Sequence, residues 1–161
     1  MKVVILAGGF GTRLTEYTKL IPKPMVKINK IPILVRIMMH YAKYGYNDFI
    51  IAAGYKGYVI KKYFKKKKFN WNIQIVDTGL KTMTGGRLKR LKKFLGEETF
   101  FLTYGDGLSN INIKKLLKFH KKMGKMVTLS AVRPPARFGV LKIKRDVVKY
   151  FKEKSKMDLG W

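Results

Sequence analysis

Three glycines within four positions follow directly on an apolar run near the start of the chain. Val3–Ala7 is suited to a buried strand, Gly8, Gly9 and Gly11 come next, and Arg13 stands two residues further on. Glycine lets backbone N–H groups approach an anion with no side chain in the way, and successive N–H groups in such a turn form an anion-binding nest. The segment therefore predicts a nucleotide phosphate site at the carboxyl end of the first strand.

Two cations flank this predicted phosphate site. Arg13 ends the glycine segment, and Lys23 stands between two prolines in Pro22–Met25. Both would make charge-assisted contacts with phosphate oxygens. The spacing matches neither G-x-G-x-x-G nor G-x-x-x-x-G-K-[ST], so the dinucleotide and P-loop fingerprints do not apply. A glycine turn that serves only the fold is the alternative interpretation.

A single aspartate between two glycines predicts a cation site. Asp106 follows the apolar run Thr99–Tyr104, with Gly105 before it and Gly107 after it. A carboxylate at a strand end is free of crowding, and Mg²⁺ takes one or two carboxylates together with phosphate oxygens and water. The alternative is a turn aspartate that bonds to its own backbone.

A third polar segment precedes a predicted helix. Thr82–Arg87 combines hydroxyl side chains, glycines and an arginine, which suits contact with a base edge or a phosphate. The same residues could serve only as a helix cap.

The elements that must position these residues alternate between strands and helices. Periodicity and turn residues predict these elements. The expected strands are Val3–Ala7, Asp48–Ala53, Ile73–Asp77, Thr99–Tyr104 and Val127–Val132, and the expected helices are Pro32–Tyr44, Gly57–Lys66, Arg87–Leu95 and Ile113–Met123. After Pro134-Pro135 the period becomes two, which predicts antiparallel strands at Val140–Lys144 and Val147–Phe151.

This alternation predicts an α/β fold. We expect a Rossmann-like, mostly parallel sheet with helices on both faces, extended at its C-terminal end by antiparallel strands. Ligands of such sheets bind outside the carboxyl ends of the strands, where all three polar segments would lie. A length of 161 residues with 47% hydrophobic content suits one domain, residues 1–161.

Composition narrows the class of protein further. Cysteine is absent, which excludes disulfides and thiol catalysis, and no apolar run is long enough to span a bilayer. The cytoplasm is the expected compartment. The net charge of +27 is mostly scattered lysine rather than arginine, so it predicts a solvated surface with nonspecific polyanion affinity more than base readout. A nucleic-acid binder is the alternative that charge alone suggests.

The motifs resemble those of the sugar-1-phosphate nucleotidylyltransferases, and the later ones resemble the glucose-1-phosphate cytidylyltransferases within that family. The opening resemblance lies in Leu6–Leu14 and Pro22–Met25, and the narrower one in Asp77–Gly79, Thr84–Arg90, Thr103–Gly107 and Arg137–Gly139. The thymidylyltransferases typically carry asparagine where Gly107 stands.

The resemblance implies a set of site residues. The nucleotide would be bound by Leu6, Ala7, Gly8, Gly9, Phe10, Gly11, Thr12, Arg13, Thr82, Arg87 and Gly105. Arg13, Lys23 and Asp106 would be catalytic, and Asp106 would hold Mg²⁺. Glu153 and Lys154 would begin the sugar site. The substrates would be CTP and glucose 1-phosphate, and the family leads us to expect a homo-oligomer.

The resemblance also divides the expected domain into a nucleotide half, 1–132, and the start of a sugar half, 133–161, which is shorter than in the family. Only a lysine-rich stub lies between Phe64 and Trp71, where the family carries a further segment. Three readings therefore remain: a cytidylyltransferase, a related enzyme that uses dTTP or UTP, and an inactive nucleotide-binding module.

Overall fold

The computed structural model describes residues 1–11, 20–132 and 140–152. The chain divides into two compact units, Met1–Leu116 and Leu117–Trp161. The first unit contains the elements that surround the candidate site. The expectation of one domain over residues 1–161 stays a prediction.

A parallel four-stranded sheet is the centre of the first unit. Its strands are β1 (Lys2–Ala7), β4 (Asp48–Ala53), β5 (Asn72–Asp77) and β6 (Phe101–Tyr104), in the order β5-β4-β1-β6. Every neighbouring pair is parallel. The parallel sheet predicted from the alternating pattern is confirmed.

Helices follow the strands in sequence, and a small hairpin precedes the first of them. The helices are α1 (Ile33–Ala42), α2 (Gly57–Lys66), α3 (Thr84–Arg90), α4 (Lys92–Leu95) and α5 (Ile113–Met123), of which α5 runs from the first unit into the second. A 3₁₀ turn, Lys23–Met25, leads into the hairpin of β2 (Lys27–Ile28) and β3 (Ile31–Pro32). No helix among the described residues is long and apolar enough to cross a bilayer.

The core lies around the two central strands. Val3, Val4 and Ile5 of β1 and Ile50 and Ile51 of β4 are fully buried. Successive residues of a strand point to opposite faces, so consecutive buried residues mean that both faces of these strands are covered. Burial on both faces explains why these strands are continuous apolar runs in the sequence.

The strand register brings four strand ends to one edge of the sheet. Ala7 lies opposite Ala53, Ala53 opposite Asp77, and Leu6 opposite Tyr104. The segments that follow these strands therefore meet at that edge, as parallel strands require.

The helix predicted at Arg87–Leu95 differs from the structure in its start and its continuity. Helix α3 begins at Thr84, and Leu91 separates it from α4. The Leu91 N–H donates to the Leu88 carbonyl in a tighter turn, and the Leu91 side chain is fully buried in the core cluster of Val4, Leu6 and Ile50. Burial of Leu91 thus accompanies the break that periodicity alone did not indicate.

The strand predicted at Val127–Val132 was wrong. The structure assigns no strand there, and Val127, Leu129 and Val132 are largely exposed. A strand exists only with a hydrogen-bonded neighbour, and among the described residues the sheet ends at β6. In the second unit, β7 (Val140–Lys144) and β8 (Val147–Lys152) pair antiparallel, as predicted. Among the described residues they form a two-stranded sheet of their own and do not extend the parallel sheet.

An aromatic cluster lies near the amino end of β5. The Trp71 ring stacks on Phe69, with the centroids 4.7 Å apart, and meets Phe49 edge-on at 5.5 Å. Phe64, in the last turns of α2, contacts Phe69. This cluster is therefore at the edge of the sheet opposite to the strand ends described above.

Candidate active site

A cavity of about 450 Å³ opens at the carboxyl ends of the strands. It is lined by the segment Gly8–Gly11 after β1 (the glycine turn), the 3₁₀ turn, the loop after β5, the start of α3 and the end of β6. The lining residues are Leu6, Ala7, Gly8, Gly9, Phe10, Gly11, Lys23, Pro24, Leu80, Lys81, Thr82, Met83, Thr84, Arg87, Tyr104 and Asp106. The segments that the sequence singled out thus surround one cavity.

The glycine turn is held by its first carbonyl. The Gly8 oxygen accepts hydrogen bonds from Arg87 Nη2 at 2.8 Å and from the Tyr55 N–H at 3.2 Å. Gly11 has φ of 68°, a left-handed value that glycine adopts at little cost. The Phe10 ring packs against Tyr55 at 5.4 Å. Thr12 and Arg13, the predicted continuation of the turn, lie outside the described residues.

Lys23 and Asp106 meet beside this turn. Lys23 Nζ lies 2.5 Å from Asp106 Oδ2. Proline pre-sets φ for the first turn of a helix, and the buried Pro24 anchors the 3₁₀ turn that carries Lys23. The Gly105 N–H donates to the Leu6 carbonyl at 2.9 Å, which joins the turn after β6 to β1 and so places Asp106. Both side chains are about a third exposed, so the pair contributes little to folding stability and remains open to ligand.

Gly105 is tightly packed, so a side chain there would require its neighbours to shift. A Cβ there would lie 3.1 Å from the Leu6 oxygen and 3.1 Å from Pro24 Cγ. Because its N–H already bonds to Leu6, this glycine serves the close approach of three segments. Its predicted contact with the nucleotide stays a prediction.

Arg87 is the most buried charged side chain near the cavity, with an exposed fraction of 5%. Its guanidinium donates to oxygens from three strand ends. The acceptors are the carbonyls of Gly8, Ala53, Gly79 and Leu80 and the hydroxyl of Thr78, at 2.7–3.3 Å. Burial lowers the pKa of Arg87, whereas the nearby Asp77 acts in the opposite direction; an arginine nevertheless stays charged in a protein.

The loop after β5 is organised around Thr78. The Thr78 hydroxyl donates to the Ala53 carbonyl at 2.7 Å, and the backbone carbonyl of Thr78 accepts from Arg90 Nη1 at 2.8 Å. Asp77 accepts from the Gly79 N–H at 2.9 Å, which closes a local turn. The loop therefore presents Leu80–Thr84 to the cavity, including the half-buried Thr82 that was predicted to contact the nucleotide.

Two lining residues carried no signal in the sequence. Leu80 and Lys81 occupy loop positions between the motifs, whereas Met83 and Tyr104 lie within motifs. Tyr104, the last residue of β6, is 59% exposed although the sequence predicts a buried strand there. Glu153 and Lys154, the predicted start of a sugar site, lie outside the described residues.

A single carboxylate fits the requirements of a magnesium ion that arrives with a nucleotide. Among residues 1–11, 20–132 and 140–152, no group of three or more His, Cys, Asp or Glu side chains lies together, so no all-protein metal cage is found there. Mg²⁺ is commonly held by one or two carboxylates plus substrate phosphates. Asp106, partly exposed at the cavity beside the glycine turn, is such a carboxylate.

These features together describe an α/β protein with a glycine turn and a cavity at the carboxyl edge of a parallel sheet. The chain belongs to the nucleotidyl transferase family, whose model matches residues 2–159. The resemblance inferred from the motifs is thereby confirmed.

Individual relatives differ in the base and sugar that their names carry. A glucose-1-phosphate cytidylyltransferase from Salmonella typhimurium is 48% identical over 98% of this chain and 70% of its own length. A D-glycero-alpha-D-manno-heptose 1-phosphate guanylyltransferase from Campylobacter jejuni is 36% identical over 96% of this chain and 69% of its own. The crystal structure of HddC from Yersinia pseudotuberculosis has a TM-score of 0.72 at 31% identity, covering 99% of this chain and 71% of that one.

Proposed function

We propose that the protein transfers a cytidylyl group from CTP to glucose 1-phosphate, giving CDP-glucose and pyrophosphate. The observation that carries the proposal is the 48% identity, over 98% of this chain, to the glucose-1-phosphate cytidylyltransferase of Salmonella typhimurium. The cavity supports it, because a glycine turn, a lysine and a carboxylate converge there. The product would serve the synthesis of surface polysaccharide sugars in the cytoplasm.

The reaction needs no covalent nucleophile from the protein. A phosphate oxygen of the sugar phosphate attacks the α-phosphorus of CTP, the new P–O bond forms, and the bond to pyrophosphate breaks. The protein must align two polyanions and neutralise the charge that develops, which is positioning and electrostatic stabilisation. The backbone of Leu6–Gly11 would hold the nucleotide phosphates, and Lys23 would contact phosphate oxygens at the reacting centre.

The remaining residues have supporting parts in the proposal. Asp106 would hold Mg²⁺, which when bound offsets phosphate charge. Thr82 would contact the nucleotide from the loop after β5, since it lines the same cavity as the glycine turn. Arg13, beyond the described part of the turn, would add a cation at the β- and γ-phosphates.

The first test is pyrophosphate release with Mg²⁺, glucose 1-phosphate and each of CTP, dTTP, UTP, ATP and GTP. Release with CTP above all other nucleotides is expected, and it should be lost in Arg13→Ala. Preference for dTTP or UTP would instead assign the protein as a thymidylyl- or uridylyltransferase of the same family. Glucose 1-phosphate should be compared with mannose 1-phosphate to test the sugar in the same assay.

Calorimetric titration with CTP and Mg²⁺ separates an inactive binding module from an enzyme. CTP binding without pyrophosphate release would show that the chain retains the nucleotide site alone. If the chain shows no binding and no pyrophosphate release with any of the nucleotides, the proposal is contradicted. A DNA titration should run beside it, because affinity that survives Arg13→Ala and falls steeply with salt would come from the net charge of +27 instead.

A further inference from the structure

We infer that Arg87 is a positioning residue: it holds backbone carbonyls of two loops at its guanidinium and so sets the direction of the following N–H groups, which would receive the anionic ligand. The starting observation is the nature of its partners. They are five protein oxygens, four of them backbone carbonyls. They come from the last residue of β4 and from the segments after β1 and β5. The inference rests on the proposed function for the identity of the ligand, a nucleoside triphosphate.

The peptide plane converts these contacts into ligand-binding geometry. In a trans peptide, the carbonyl of one residue and the N–H of the next point in opposite directions. The described residues contain no cis peptide bond. With the carbonyls of Gly8, Gly79 and Leu80 directed at the guanidinium, the N–H groups of Gly9, Leu80 and Lys81 point away from it. All three of those residues line the cavity.

Electrostatics also favours the binding of an anion in this arrangement. A carbonyl oxygen facing the cavity would repel a phosphate, whereas an N–H group would attract it. Arg87 gathers the oxygens on its own side, at a buried position where such contacts are strong. Two loops from different strands therefore present donors together, and neither can reorient without losing a charge-assisted hydrogen bond.

Two glycines show that the packing around this guanidinium is tight. A Cβ on Gly8 would collide with the Arg87 guanidinium, and a Cβ on Gly54 would lie 2.5 Å from Arg87 Nη1. A Cβ on Gly9 would meet nothing within 4 Å. Gly8 and Gly9 are thus a matched pair: the first reports on the arginine, and the second does not.

The test is a double-mutant cycle read by hydrogen–deuterium exchange without nucleotide. Gly8→Ala should speed exchange by about tenfold in the distant loop 78–84 as well as in 8–11, because the displaced guanidinium anchors both. Arg87→Met should do the same, and Gly8→Ala should add little in that background. Gly9→Ala and Lys89→Met, an exposed neighbour on α3, should leave the 78–84 loop unchanged. Additive effects, or exchange changed only in residues 8–11, would overturn the inference.

Kinetics give the second readout. Arg87→Met should lower kcat/KM by about 10²-fold. Arg87→Lys should recover only part of it, since one ammonium cannot reach acceptors on three strand ends. A direct nucleotide contact instead predicts the kinetic loss with unchanged exchange in the nucleotide-free protein, which would also overturn the inference. Because the exchange experiment contains no nucleotide, failure of the proposed reaction would leave its result intact.

Discussion

Lys23 Nζ and Asp106 Oδ2 lie 2.5 Å apart, although one residue belongs to a proline-anchored 3₁₀ turn and the other to the turn after β6. Each charge holds the other beside the glycine turn, and both side chains keep about a third of their surface exposed. The pair therefore keeps a cation and a carboxylate side by side at the cavity.

Replacing Lys23 by alanine should slow catalysis with little effect on folding. The loss of one preorganised charge at the reacting phosphates predicts a fall in kcat of about 10²–10³-fold. Pyrophosphate release measures it, and circular dichroism checks that the fold is retained. Lys27→Ala, an exposed lysine on β2, is the matched control. A rate equal to that of the unaltered protein would refute the role of Lys23.

Asp106→Asn should raise the magnesium concentration needed for activity. A neutral amide is a weaker ligand for a hard cation than a carboxylate, so kcat at ordinary magnesium levels should fall by about 10²-fold. A magnesium series in the pyrophosphate assay measures the shift. Glu98→Gln removes an exposed carboxylate elsewhere and should behave like the unaltered protein. An unchanged magnesium requirement in Asp106→Asn would show that this residue does not hold the metal.

Ile5→Ala should destabilise the first unit by about 2–5 kcal/mol, because the side chain is fully buried in β1 and its loss leaves a cavity. Guanidinium denaturation followed by circular dichroism measures the change. Tyr58→Ala, at a side chain that is 67% exposed, should change the free energy of unfolding by no more than about 0.5 kcal/mol. Equal effects of the two substitutions would contradict the assignment of the core.

The buried hydroxyl of Tyr41 predicts a loss of stability at alkaline pH. Burial raises the pKa of Tyr41, and a hydrogen bond with Thr103 opposes the rise in part. The folded protein thus holds this proton to a higher pH than the unfolded chain does. The contribution is fully present below a pH of about 10, the ordinary tyrosine pKa, and is lost as the pH rises through the higher folded value.

Tyr41→Phe tests this prediction. The free energy of unfolding should fall less steeply in the variant than in the unaltered protein as the pH rises above about 10. Tyr58→Phe, at an exposed ring, is the control for the other tyrosines and lysines that titrate in the same range. Parallel curves for the unaltered protein and Tyr41→Phe would show that burial of this hydroxyl has no thermodynamic effect.

The sequence predicted well where a local pattern decides the structure. The bounds of β4, α2 and α5 agree with the predicted ranges, because buried strands read as apolar runs and these helices show a clear period. The three polar segments were expected at one edge of the sheet, and they line one cavity. That step needed only the rule that parallel strands share a direction.

Prediction failed where long-range partners decide. Val127–Val132 has the composition of a strand, but a ladder needs a neighbour that composition does not reveal. Arg87 was recognised within its motif, yet periodicity could not tell whether its guanidinium faces a ligand or the carbonyls of three strand ends. The pairing of Lys23 with Asp106 likewise depends on how two distant turns approach each other.

The aromatic cluster has a consequence for spectroscopy. The chain contains two tryptophans, Trp71 and Trp161, and Trp71 stacks on Phe69 near the amino end of β5. In a Trp161→Phe variant, the fluorescence emission would come from Trp71 alone. That emission should change when the cluster with Phe49 opens on unfolding, and it should stay constant when a nucleotide enters the cavity at the opposite edge of the sheet. One native fluorophore would thus separate unfolding from ligand binding in the same titration.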